Sequence, residues 1–148
     1  MTLTGEYEPS PEQWVRDQVE EFEASAGQRA NILRGNPDWP IVVITSRGAR
    51  SGKLRKNPVM RVEKEGVYAA VASKGGAPEH PTWYFNFVEH PEVDLQDGAE
   101  KHTYSVRVAE GAERAEWWER AVAQFAPYAE YERKTDREIP VFLLERID

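Results

Sequence analysis

The stretch "IVVITSRGARSGKLRKNPVM", residues 41–60, decides the architecture of this chain. It opens on Ile41-Val42-Val43-Ile44-Thr45, a short β-branched run without helical spacing, which reads as a buried strand. A glycine-punctuated segment follows, with Arg47, Arg50, Lys53, Arg55 and Lys56 and no acid among them. It reads as a loop. Asn57 to Met60 then resume an extended pattern towards a turn near Lys64-Glu65-Gly66, and "VYAAVASKGG" reads as the hairpin partner, closed by two glycines.

Working outward, "HPTWYFNFVEH" suits a short helix, with Pro81 near its start and Pro91 just beyond its end. "EVDLQ" and "KHTYSVRVAE" are two strands around Asp97-Gly98. "AERAEWWERAVAQFA" is amphipathic, with Trp118, Ala121, Val122 and Phe125 on one face, and Pro127 stops it. "IPVFLLERI" is a last strand, apolar enough to be central. Upstream, "PSPEQWVRDQVEEFEAS" opens a helix in which Ser10 caps, Pro11 takes the first position and Gln13 completes the box. Val15, Val19 and Phe22 form its apolar face. Gly35-Asn36-Pro37 ends whatever follows it. The sum is about six strands and three helices. Short links favour antiparallel pairing over βαβ units. The expected fold is α+β, mainly β: a small antiparallel barrel flanked by helices. Residues 1–39 read as an N-terminal helical segment and 40–148 as the barrel, one domain overall.

A chain of 148 residues can bury a sizeable core, and five Trp, six Tyr and five Phe argue against disorder. The absence of cysteine removes disulfides, thiolate metal sites and a Cys nucleophile. Three histidines, two of them in His-Pro pairs, make a poor metal set. No signal peptide or membrane-spanning run is evident. The formal charge of -7 argues against a general nucleic-acid binder. The basic patch is therefore local and suits a small anion. Glycines let backbone N–H groups approach a ligand, and arginine forks match phosphate or carboxylate oxygens. The spacing of a Walker loop is absent. The bland reading, a merely solvated charged loop, carries similar weight for this segment alone.

Two further segments shift that balance. Lys74 sits on Gly75-Gly76 at a strand end, and Trp83, Tyr84 and Asn86 follow nine residues later. Tyr128 and Tyr131, three residues apart, can share a helical face. Core packing would explain each aromatic. Together, a cation, a flexible turn and flat rings suit a ligand with an anionic tail and an aromatic ring.

The segments "ITSRGARSGKLRKNP", "ASKGGAPEHPTWYFN" and "PYAEYERKTDREIP" resemble, in this order, the motifs of the deazaflavin-dependent nitroreductase and quinone reductase family. These are actinobacterial split β-barrel oxidoreductases, FMN-binding-like in fold, that use coenzyme F420. The resemblance spans about residue 40 to the C-terminus. It implies that Arg50, Ser51, Arg55 and Lys56 meet the phosphate and glutamate tail of the coenzyme. It places Asn57, Pro58, Val59 and Met60 beside the ring, with Ala72, Ser73 and Lys74 at the other edge. Trp83, Tyr84 and Asn86 complete the pocket, and Tyr128 stands near ring and substrate with Tyr131 beside it. Two departures matter: Ala49 replaces the family's usual arginine and Leu54 a common proline. The first removes a tail contact that Arg47 or Lys53 would have to supply.

The implied activity is hydride transfer from reduced deazaflavin to an electron-poor acceptor: a quinone, an activated enone or lactone, or a nitroaromatic. Ser73, Tyr128 and Tyr131, or water, are the candidates for stabilising charge or supplying the proton. The acidic first helix, with Glu20, Glu21 and Glu23, disfavours anionic lipid, so the expected location is the cytoplasm, with at most transient membrane encounters. The partners expected are a small-molecule acceptor and no nucleic acid, in a monomer or homodimer. The competing readings are an FMN-dependent split-barrel oxidoreductase and a deazaflavin or haem carrier without turnover.

Overall fold

The run at 41–44 shows no alternation because it is buried on both faces of a sheet. In the computed structural model, which describes residues 2–148, it lies within a long strand, β2 (Asn36–Arg47). The other elements are α1 (Gln13–Ala24), β1 (Ile32–Leu33), β3 (Leu54–Met60), β4 (Val62–Lys64), β5 (Val67–Val71), α2 (Thr82–Glu89), β6 (Glu92–Asp97), β7 (Glu100–Val108), α3 (Gly111–Gln124), α4 (Pro127–Lys134) and β8 (Val141–Arg146). A short 3-10 turn, Lys74–Gly76, follows β5. The strands form one antiparallel sheet in the order β1-β2-β6-β7-β8-β5-β4, with β3 paired to the other side of β2. The sheet curls into a half-barrel with flanking helices, as the sequence implies.

Odd and even residues of the strands serve two cores. Ile41, Val43, Val71, Val141 and Leu143 pack with Val15, Val19 and Phe22 of α1 and with Trp117, Phe125 and Tyr128. Val42, Ile44, Ala70, Phe142 and Leu144 pack with Phe87 of α2, Leu95 and Tyr104. Two-sided burial of β2, β5 and β8 is what their continuous apolar runs encode. Burying such side chains, at roughly 1.5–3 kcal/mol each, is the main source of stability.

The structure corrects several local expectations. The basic segment is only partly loop: β2 runs to Arg47 and β3 begins at Leu54, so residues 48–53 form the loop and Arg47, Arg55 and Lys56 stand on strands. Ser10 does not cap α1; Glu12 holds the N-cap position, and the Ser10 hydroxyl accepts the Glu12 N–H two residues on. That local turn satisfies the hydroxyl before the helix begins. Pro127 ends α3 and also opens α4 at its first turn, giving four α-helices among the described residues rather than three. The buried residues of α3 are Trp117 and Ala121, joined by Phe125 at its C-cap, whereas Trp118 and Val122 are half-buried beside them. β1 and β4, two and three residues long, raise the strand count among the described residues to eight.

Gly27, just after α1, has φ +78° and lies on the β6–β7 turn, where an added Cβ would be 2.5 Å from the Gly98 carbonyl oxygen. Backbone cannot give way as a flexible side chain can. Gly27→Ala is expected to destabilise the fold by roughly 2–4 kcal/mol, the sum of left-handed strain and overpacking. Chemical denaturation of both proteins measures it, and a shift under about 0.5 kcal/mol would refute the contact.

Candidate active site

β3 carries Arg55, Asn57 and Val59 with the period of a strand, and its register sets Arg55 opposite Ser46 and Asn57 opposite Ile44. The same period sends Lys56 the other way. Its ammonium pairs with Glu23 of α1 at 2.7 Å and lies over the Tyr7 ring. A cavity of about 880 Å³ opens between β3, the turn after β5, the start of α2 and α4. Its wall includes Arg55, Asn57, Pro58, Val59, Met60, Ser73, Lys74, Trp83, Asn86, Tyr128 and Tyr131. Residues of the N-terminal arm, Glu8 to Glu12, and Trp14 of α1 complete it; neither the periodicity nor the motifs mark them as site residues.

A second cavity of about 700 Å³ adjoins the first and shares Glu8, Arg55, Thr82 and Asn86 with it. It holds Arg50 and Ser51 on the 48–53 loop, beside Phe85 and Val88 of α2. The loop is pinned from α2: the Ala49 N–H donates to Asn86 Oδ1 at 2.9 Å, and Asn86 is buried. Ala72 and Tyr84 line neither cavity. Ala72 is fully buried just past the end of β5, and Tyr84 stacks on His80 with centroids 3.9 Å apart.

The N-terminal arm answers the basic segment with acid. Glu6 faces Lys53 at 3.5 Å and Glu8 meets Arg55 at 3.3 Å. The arm is fixed by the Leu54 N–H donating to Glu6 O and the Glu8 N–H donating to Leu54 O. Arg47 donates to the carbonyls of Gly52 and Thr4, both at 2.9 Å. Arg47 is committed to these carbonyls, and neither it nor Lys53 lines either cavity. Arg50 has no hydrogen-bond or ion-pair partner among the described residues.

The opposite wall carries three hydroxyl-bearing side chains, Ser73, Tyr128 and Tyr131. Gly76 lies against α4, where an added Cβ would meet Tyr131 Cα and O at 3.0 Å, so the turn carrying Ser73 and Lys74 abuts Tyr131. Tyr128 and Tyr131 ring centroids are 6.2 Å apart. Ser73, Tyr128 and Tyr131 have no side-chain hydrogen-bond partner among the described residues, and none is a buried orphan. Burial, and then neighbouring Tyr131, push the Tyr128 phenol well above its ordinary pKa. It stays a proton-bearing donor through the neutral range.

A cavity with aromatic and apolar side chains in its wall, joined to one that presents Arg50 and Arg55 beside Glu8 and Glu89, suits a flat ring with an anionic tail. The profile of the F420H(2)-dependent quinone reductase family matches residues 14–146. The chain belongs to this family. The match includes α1, upstream of the three motifs. Two relatives from Mycobacterium tuberculosis H37Rv carry F420H(2)-dependent quinone reductase in their names. One is 31% identical over 105 residues, covering 71% of this chain and 88% of its own length. The other is 27% identical over 128 residues, covering 84% and 85%. A solved F420-H2-dependent reductase is 55% identical with a TM-score of 0.69, covering 72% of this chain and 94% of its own. A structure described as a domain-swapped dimer is 48% identical with a TM-score of 0.72, covering 92% and 100%. The haem storage protein HutZ of Vibrio cholerae, 10% identical at a TM-score of 0.56, shares the fold alone, over 87% of this chain and 89% of its own.

Proposed function

We propose that this member of the family reduces a quinone with F420H2, binding the coenzyme across both cavities. The single observation that carries the reading is their junction. A space walled by unengaged hydroxyls meets at Arg55 a second pocket lined by Arg50, Arg55, Glu8 and Glu89, and Arg50 waits there without a partner among the described residues. When bound, reduced F420 supplies the hydride. Arg50, Ser51 and Arg55 hold the anionic tail, Asn86 holds the loop that presents Arg50, and Pro58, Val59, Met60 and Trp83 exclude water from the ring. A hydroxyl of Ser73, Tyr128 or Tyr131, or water, donates to the acceptor oxygen on which charge develops, and Ser73 and Lys74 border the coenzyme from the turn after β5. Lys56 sets α1 against β3 through Glu23 instead of contacting the ligand. The assembly proposed is a homodimer, by analogy with the domain-swapped neighbour. The reading places the reaction in the cytoplasm; no helix among the described residues is long and apolar enough to cross a membrane.

Fluorescence titration with oxidised F420, with FMN in parallel, tests this. Binding of F420 alone, followed by F420H2 oxidation on adding a soluble quinone, is the expected result. FMN binding alone would overturn the cofactor. F420 binding without turnover across quinones would leave a carrier.

Glu8 holds Arg55 before any ligand does, so an incoming anionic group must displace it. Glu8→Gln removes the competing charge and is expected to tighten F420 about two- to five-fold, the worth of a partly exposed ion pair. The same titration reads it, and weaker binding would show that Glu8 helps to hold the ligand.

A further inference from the structure

Arg137 stands in the "TDREIP" segment between α4 and β8, and no role in the reaction follows from the cavity itself, because Arg137 does not line it. Its guanidinium is nevertheless the most engaged polar group around the site. Nε donates to Ala77 O at 3.0 Å, Nη1 to Ala72 O at 3.2 Å and Nη2 to Ser73 O at 2.9 Å. Nη1 also lies 3.1 Å from His80 Nδ1. One planar fork thus reaches both ends of the turn at 72–77 and the approach to α2.

That turn needs holding. Lys74, Gly75 and Gly76 have φ of +46°, +64° and +82°, three successive residues in the left-handed region, and the first is not glycine. A planar trans peptide directs the Lys74 N–H opposite to the Ser73 carbonyl. Fixing that carbonyl on Arg137 therefore fixes which way Lys74 leaves the turn. Burial and the Arg137 charge both lower the His80 pKa, which keeps the imidazole neutral and its Nδ1 free to accept. His80 in turn stacks on Tyr84, so the guanidinium ties the turn to α2.

We infer that Arg137 is a positioning residue: from behind the cavity wall it holds the 72–77 turn, and so Ser73 and Lys74, in the geometry that binds the coenzyme. The inference deepens the F420 reading and rests on it for the ligand, whereas the holding of the turn stands on its own. A lysine offers one point donor group where the carbonyls need a fork, so Arg137→Lys should behave like Arg137→Ala.

The test uses the full chain in two measurements. Hydrogen exchange on the ligand-free protein should show the amides of the 72–77 turn exchanging at least ten-fold faster in Arg137→Ala, with β2 and β8 unchanged. F420 titration should show at least a ten-fold loss of affinity in Arg137→Ala and Arg137→Lys. Methylguanidinium at millimolar concentration should recover affinity in Arg137→Ala, and methylammonium at equal ionic strength should not. Unchanged exchange in the turn overturns the inference, as does affinity within two-fold of the parent or a loss that methylguanidinium leaves unrelieved. If Arg137→Ala does not fold, Arg137→Lys carries both measurements against the same thresholds. Failure of the parent protein to bind F420 sinks the cofactor reading instead, and hydrogen exchange still decides the role of Arg137 in the turn.

Discussion

Arg55→Ala is expected to weaken F420 binding by about 10- to 100-fold, the worth of a charge-assisted hydrogen bond of roughly 1.5–3 kcal/mol. Two effects act in the same direction. The substitution removes the cation at the junction of the cavities, and it leaves Glu8 there without its partner, facing an anionic ligand. Their sum is separable. In a double-mutant cycle, Glu8→Gln on the Arg55→Ala background should recover part of the loss, because it removes the repulsion without restoring the attraction. The salt dependence has a definite sign. Screening weakens the attraction in the parent protein, so the gap between parent and variant narrows as ionic strength rises. Equal affinity of the two proteins at low salt would remove Arg55 from the tail site and leave Arg50 as its principal cation.

Why Arg55 and Lys56 part company was not readable from composition. Five cations in a glycine-rich segment look like one loop, since none is β-branched and none sets a hydrophobic period. Once β3 pairs with β2 along seven residues, neighbours must face opposite sides, and one of two adjacent cations goes to α1. The acids that answer the basic segment were equally hidden. Glu8 and Arg55 are 47 residues apart, and nothing local in "GEYEPSPE" announces a strap across a β-hairpin. The strands at 41–44, 67–71 and 141–144 were legible because burial on both faces leaves an apolar run that few other environments permit. Helix ends were less so. Ser10 and Pro11 have the residue types of a helix start, but the Ser10 hydroxyl bonds the Glu12 amide before the helix, and α1 begins at Gln13 without it. The three motifs are local and dense, and most of the site residues they suggest line the two cavities; the arm that closes the first cavity is neither.

Tyr128→Phe removes one oxygen from a buried ring and nothing from its packing against Phe125, Trp118 and Tyr131. The fold and the F420 affinity should therefore persist while quinone reduction slows by about 100-fold or more, the usual worth of a positioned proton donor. Tyr131→Phe should cost less, since Tyr131 is only half-buried and water can replace its hydroxyl. Single-turnover oxidation of bound F420H2, followed by absorbance after mixing with a quinone, separates this step from binding. The pH profile adds a second constraint. Burial holds the folded Tyr128 phenol above the ordinary value of about 10, so the donor remains protonated from acid through that pH. The stability linked to it is complete below the ordinary value and is lost as pH rises through the folded one. The parent protein should accordingly show no alkaline fall in the transfer rate from this group below about pH 10. A lower alkaline limb that disappears in Tyr128→Phe would mean that the ring is more exposed to water in the complex than it is here. Unchanged single-turnover rates in Tyr128→Phe, Tyr131→Phe and the double variant would transfer the proton to Ser73 or to water, and would leave α4 only the task of shaping the cavity.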